Sequence, residues 1–132
     1  AAATNVTNPS AWLAMPLRTV PGSIFETLVD VTHPIGYGYQ QSRLPVFRQS
    51  RTLLELADNA YASPVVYGAE PLLSGYISED NLKLLAGSAS VVVRKREAGR
   101  VIVMIDNPNF RAFWYGTNRL FLNSVFFGSI IR

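Results

Sequence analysis

The sequence has no cysteine and a single histidine, His33. Without cysteine, a disulfide framework, a thiolate metal site and a cysteine nucleophile are all excluded. One histidine is too few for catalytic zinc, which takes about three protein ligands, usually His with Glu or Asp. Lysine is scarce too, since ten of the twelve basic side chains are arginine. Arginine grips carboxylates and phosphates with paired N–H donors, so the bias points to fixed ion pairs or anion contacts. Only 16% of residues are charged, and the net charge of +3 is spread along the chain. That is not the footprint of a nucleic-acid binder. No apolar run approaches the roughly 18 residues a membrane helix needs, so no membrane span is expected.

What is plentiful is apolar material: 48% of 132 residues are hydrophobic, enough for one domain with its own core. The opening "AAATNVTNPSAW" is small and polar, and it lacks the basic and apolar segments of a signal peptide. Residues 1–20 read as a linker or lead-in and 21–132 as a single domain, expected to be cut from something longer.

Strand-like runs occupy 23–31, 44–48, 64–68 and 71–77, broken by "THPIGYGY" (32–39) and other Pro/Gly turns. Residues 50–62 are ambiguous, although Leu53, Leu54 and Leu56 would fit one helical turn and Asn59 a helix end. "SEDNLKLLAG" (78–87) has a helix's grammar, with Ser78 as cap, Glu79 and Asp80 at the positive end and Gly87 as stop. "SASVVVRK" and "RVIVMID" flank a tight turn with Gly99 and predict an antiparallel hairpin. The second run is apolar throughout, as a central strand covered on both faces would be. "TNRLFLNSVFFGSII" (117–131) predicts a last helix, capped by Thr117 or Asn118 and apolar on several sides, hence deeply buried.

Few positions offer chemistry. His33 before Pro34 reads as a structural turn histidine, with a base paired to a carboxylate as the alternative. "GYGYQQ" (36–41) has Gln41 where a dinucleotide fingerprint needs glycine, and no G-x-S-x-G elbow is present. The basic "RKREAGR" (94–100) reads as a solvated hairpin turn. The segment left is "DNPNFRAFWYGTNR" (106–119), between the last strand and the last helix. Asp106 there has good turn chemistry before Asn-Pro, and it also ends a strand at the edge where open α/β sheets bind ligands. Phe110 and Phe113 are expected to anchor the loop. Asp106, Asn109, Arg111, Trp114, Tyr115, Thr117 and Arg119 form the candidate ligand set, with the arginines on an acid group and the aromatic rings on a sugar or other ring.

Four blocks in order carry a resemblance: "THPIGYGY", "PVF" (45–47), "LLSGY" (72–76) and the long stretch 86–127. Over about residues 24–130 the chain resembles the C-terminal region of bacterial secreted zinc carboxypeptidases of the M14 type. In these a metallopeptidase domain precedes a domain similar to class I glutamine amidotransferases. The shared motifs are a G-R-V strand (Gly99–Val101), an N-P-x-F-R turn (Asn107–Arg111) and a G-T-x-R-L-F-L-N helix (Gly116–Asn123). The resemblance implies an α/β, flavodoxin-like or amidotransferase-like layered sheet, whole or truncated, ending in the hairpin and a buried helix. This chain departs from both activities. It lacks the amidotransferase cysteine, and His33 is followed by Pro, Ile and Gly rather than by an H-x-x-E zinc motif. The implied role is a non-catalytic accessory domain supporting substrate binding, domain packing or dimerisation. Zinc would belong to the upstream peptidase domain, the implied partner alongside a homo-oligomer, in a secreted or periplasmic protein. The reading from residues alone keeps a self-standing small-anion or sugar binding domain as the alternative.

Overall fold

The computed structural model describes residues 13–14 and 22–131. The lead-in assigned to residues 1–20 lies outside them, apart from the two-residue strand β1 (Leu13–Ala14). The remaining strands are β2 (Ser23–Val29), β3 (Arg43–Arg48), β4 (Leu53–Leu54), β5 (Val65–Ser74), β6 (Ala89–Arg96) and β7 (Gly99–Met104), with helices α1 (Glu79–Leu85) and α2 (Asn118–Phe127). They form one sheet in the order β1-β4-β6-β5-β2-β3, with β7 also paired to β6.

Every ladder is antiparallel. The mixed α and β content, the hairpin and the C-terminal helix are therefore present. The parallel ladders that a flavodoxin-like sheet requires are found nowhere among the described residues. The reason is local: β2 returns through the 32–42 turn directly into β3, and β6 into β7, without a helical crossover between neighbours.

Alternation on the strands explains the layering. Phe25, Thr27 and Val29 of β2 and Leu44, Val46 and Arg48 of β3 are buried, while the residues between them are half-buried or exposed. The buried side joins Val65 and Tyr67 of β5 and Val91 and Val93 of β6 in one cluster, covered by Leu85 of α1, Leu120 of α2, Ile35 and Ile131. On the other side Arg43 and Glu26 form an ion pair at 3.6 Å, open to solvent. This is an antiparallel sheet with one dry face and one that is wet along β2 and β3, while Leu54, Ala89 and Val92 make a second, smaller buried cluster.

Several expectations change here. The two runs at 64–68 and 71–77 are one strand, β5, bent by register shifts against β2. Residues 50–62 form neither a full helix nor a long strand, but β4 and a 3₁₀ turn at Ala60–Ala62. β7 is not a covered central strand: among the described residues it pairs only with β6, and Val101 is exposed. α1 is as expected, with Ser78 Oγ accepting from Asn81 N and Gly87, at φ +73°, following its end. "THPIGYGY" is a 3₁₀ turn capped by His33 and leads into a strand. Gly36 packs so closely on Asp30 that a Cβ would sit 2.1 Å from its carbonyl oxygen, which excludes any larger residue.

The buried C-terminal helix is the main correction. α2 buries only Leu120 and Asn123, and Phe121, Leu122, Val125 and Phe126 face solvent. A helix apolar all round needs partners on all sides. Here one line of side chains meets the core, and Asn123 Nδ2 fixes it by donating to Ile35 O (2.8 Å) and Tyr37 O (2.9 Å).

The β6–β7 hairpin closes with two residues, Arg96 pairing with Gly99. Glu97 is held at φ +53°, a conformation that costs a non-glycine residue roughly 1–2 kcal/mol. Glu97→Gly should relieve that, less the roughly 0.5–1 kcal/mol of glycine's extra freedom in the unfolded chain. A net gain of up to about 1 kcal/mol is expected, read as a higher urea midpoint at unchanged slope.

Candidate functional site

β3 carries an arginine where its pattern calls for an apolar residue. Arg48 follows Leu44 and Val46 on the core face and is completely buried. Its Nη1 donates to Asp106 Oδ1 (3.2 Å) and to Tyr67 Oη (2.8 Å), and its Nη2 donates to Thr52 O. Asp106 Oδ2 accepts from Tyr67 Oη (2.5 Å) and Ser90 Oγ (2.6 Å). The guanidinium also lies 5.4 Å from the Tyr67 ring centroid. Burial pushes the Tyr67 hydroxyl well above its ordinary pKa, and the neighbouring Asp106 charge adds to that. Burial raises Asp106 as well, against the opposing pull of Arg48, Ser90 and Tyr67.

These four side chains come from β3, β5, β6 and the exit of β7. A flat sheet with about 4.8 Å between strands would hold β3 and β7 about 19 Å apart. Asp106 lies two residues past β7, a reach of only about 7 Å. The sheet is therefore curled, so that its far strands converge on Tyr67. A cavity of about 10 Å³ remains between Val46, Ser90, Asp106 and Thr117, room for no more than one water.

The 106–119 loop is built over this network. Asn107 Oδ1 accepts from Asn109 N (3.0 Å) and turns the chain. Phe110 stacks on Phe47 of β3 with ring centroids 4.0 Å apart, whereas Phe113, expected as a second anchor, is 56% exposed. Trp114 Nε1 donates to Pro45 O (3.3 Å), so the loop lies along β3, the outer strand of the sheet. Pro45 has no N–H to offer another strand, and the indole takes its carbonyl. Thr117 does not cap α2 with its side chain. Its hydroxyl instead donates to Pro108 O (2.6 Å). Gly116 O accepts from Tyr39 Oη (2.7 Å), and Arg119 donates to Gly38 O while lying over the Tyr39 ring.

Of the seven candidate ligand residues, Asp106 lies inside the network, the side chains of Trp114, Thr117 and Arg119 hold backbone, and Asn109 joins through its own N–H, which Asn107 Oδ1 accepts. Arg111 and Tyr115 face solvent, Arg111 at φ +48° with its guanidinium 5.3 Å from the Phe110 ring centroid. A larger groove of about 500 Å³ runs between β5 and α1, lined by Glu70, Leu72, Leu82 and Lys83, and none of the seven enters it. Among the tyrosines, Tyr67 is buried while Tyr37 and Tyr76 are exposed. Arg48, Tyr67 and Ser90 were not among the sequence candidates. The legible signal was the Leu44–Val46–Arg48 alternation.

His33 is buried. Its Nδ1 accepts from Ile35 N (3.1 Å), and its Nε2 has no hydrogen-bond partner. The Asp30 carboxylate is occupied by the Thr32 hydroxyl (2.6 Å) and amide (2.9 Å). Burial lowers the His33 pKa, with the Asp30 charge opposing it.

Two outcomes follow from this geometry. Asp106→Ala leaves a buried arginine without its anion and should cost about 3–5 kcal/mol. The double change Arg48→Met with Asp106→Leu should cost less than the single one. Urea unfolding of both checks it, and a double change that costs more than Asp106→Ala alone would show that the pair is not coupled. For His33, the unfolded chain binds a proton near pH 6.5 that the folded chain resists. Stability should therefore fall as pH drops below about 6.5. His33→Asn keeps an acceptor for Ile35 N and should flatten that slope.

No protein-family model, curated protein or solved structure matches this chain.

Proposed function

We propose that this chain is a non-catalytic accessory domain of a larger secreted protein, the amidotransferase-like domain of an M14-type zinc carboxypeptidase. It would serve domain packing, substrate binding or dimerisation, with the zinc chemistry in the upstream domain. The observation that supports this reading is where the side chains go. The polar groups of 106–119 mostly hold the fold, while the outer face of α2 leaves Phe121, Leu122, Val125 and Phe126 uncovered. Exposed apolar area on that scale marks an interaction surface. The order of the four sequence blocks agrees with it. The flavodoxin-like layering implied by the resemblance would need parallel strands from beyond the described residues. No helix among those residues is long and apolar enough to cross a membrane.

The decisive experiment is to read the gene upstream of Ala1. An H-x-x-E zinc motif and a signal peptide are expected there. A start methionine immediately before Ala1 would sink the proposal.

One observation favours a second reading, a self-standing site for small anions or sugars. Arg111 and Ala112 both sit at positive φ, +48° and +52°, beside the exposed ring of Tyr115. Strain of that kind in two consecutive residues gathers at binding sites. Thermal-shift screening with carboxylates, phosphates and sugars should give a hit that Arg111→Ala abolishes. A wild type that no ligand shifts refutes this reading.

A further inference from the structure

We infer that the outer face of α2 is a two-fold dimer interface whose occupant is α2 of a second copy of this chain. Phe121, Leu122, Val125 and Phe126 share one side of the helix, spaced by three and four residues. Ile130, in the 3₁₀ turn that follows the helix, is also 62% exposed, and Tyr37 meets Phe127 edge-on with ring centroids 5.3 Å apart. Val125 and Phe126 are the most open of the helical four, at 64% and 72%.

Three features point to a copy of the same chain. A two-fold interface sets a patch against itself, so any charge at its centre meets a like charge. From Leu120 to Ile131 the sequence has no charged residue at all. Arg119, at the start of the helix, is folded back onto Gly38 O and the Tyr39 ring, away from self-repulsion across the patch. The open area is on the order of 600 Å², at the top of what monomers expose and somewhat below the roughly 800 Å² per partner of a standard interface. That size fits a weak dimer. The inference rests on this surface and not on the accessory-domain reading, which can fail without it.

Sedimentation equilibrium from low micromolar to several hundred micromolar should show a monomer–dimer equilibrium, with a dissociation constant of about 10–100 μM. Val125→Asp should be monomeric throughout, with unchanged circular dichroism, because residue 125 is open in the single chain. Tyr76→Asp, an equally exposed aromatic elsewhere, should still dimerise. Since the chain has no cysteine, Leu122, Val125 and Phe126 can each be changed to Cys in turn. At least one should give a disulfide-linked dimer on mild oxidation, which requires Cα atoms within about 7 Å of their own copies. A chain that stays monomeric, a Val125→Asp variant that associates like the wild type, or three cysteine variants that never cross-link would each overturn the inference. A monomer that floats with phosphatidylglycerol vesicles through the same side chains would assign the face to a bilayer instead, and overturn it too.

Discussion

The buried pair of Arg48 and Asp106 is the constraint on which the rest of the structure depends. Removing two charges from water costs several kcal/mol per ion, and their mutual attraction offsets this only when the remaining donors and acceptors are matched. Here most are. Asp106 receives three donors, and Arg48 reaches Asp106, Tyr67 and Thr52 O, leaving only its Nε without a partner. Such a pair is weak evidence for stability but strong evidence for a unique geometry. Sliding β3 by one residue would turn Arg48 to the wet face and bring Phe47 inward. The network thus selects one register of β3 on β2 and one path for the chain leaving β7.

That path determines what the 106–119 loop does. Because Asp106 is drawn into the curled sheet, the chain leaves β7 along β3 instead of away from the molecule. Phe110 then meets Phe47, and Trp114 meets Pro45. An open antiparallel sheet exposes N–H and C=O groups along its outer strand, which invite another strand. Proline and the indole together blunt that edge. Trp114, which looks like part of a binding site in the sequence, is accordingly one of the residues that close the sheet, and the backbone strain at Arg111 and Ala112 lies between the Phe110 and Trp114 anchors.

How legible this was depended on range. The hairpin, α1 and β3 follow from local chemistry: a tight turn with glycine, a serine cap with two acids, an alternating run. The strand pairing is set by contacts across the chain, and the Arg48–Asp106 pair spans 58 residues. Strands interleaved with helices fit an α/β or an α+β layering, the flavodoxin-like form was what the resemblance implied, and the strand register is antiparallel between all described neighbours. Asp106 stands out in the sequence for its turn chemistry and its place at a strand end, but no pattern in one sequence reveals that its partners are an arginine, a tyrosine and a serine from three other strands. β7 and α2 failed for a shared reason. Apolar composition reports that surface must be covered, not whether this chain supplies the cover.

The same distinction bears on where recognition sits. The described polar side chains capable of fixed hydrogen bonds are largely turned inward or onto backbone, as in Asn123 on Ile35 and Tyr37, Thr117 on Pro108 and Arg119 on Gly38. A surface that has few directed polar groups to offer discriminates by shape and apolar area. α2 suits that kind of contact, because Asn123 and Leu120 lock its inner line while the outer line is free. A helix held by two backbone carbonyls cannot roll to bury Phe126 without breaking both bonds. The exposure of that face is therefore enforced by the fold, and any partner must come to it as it stands.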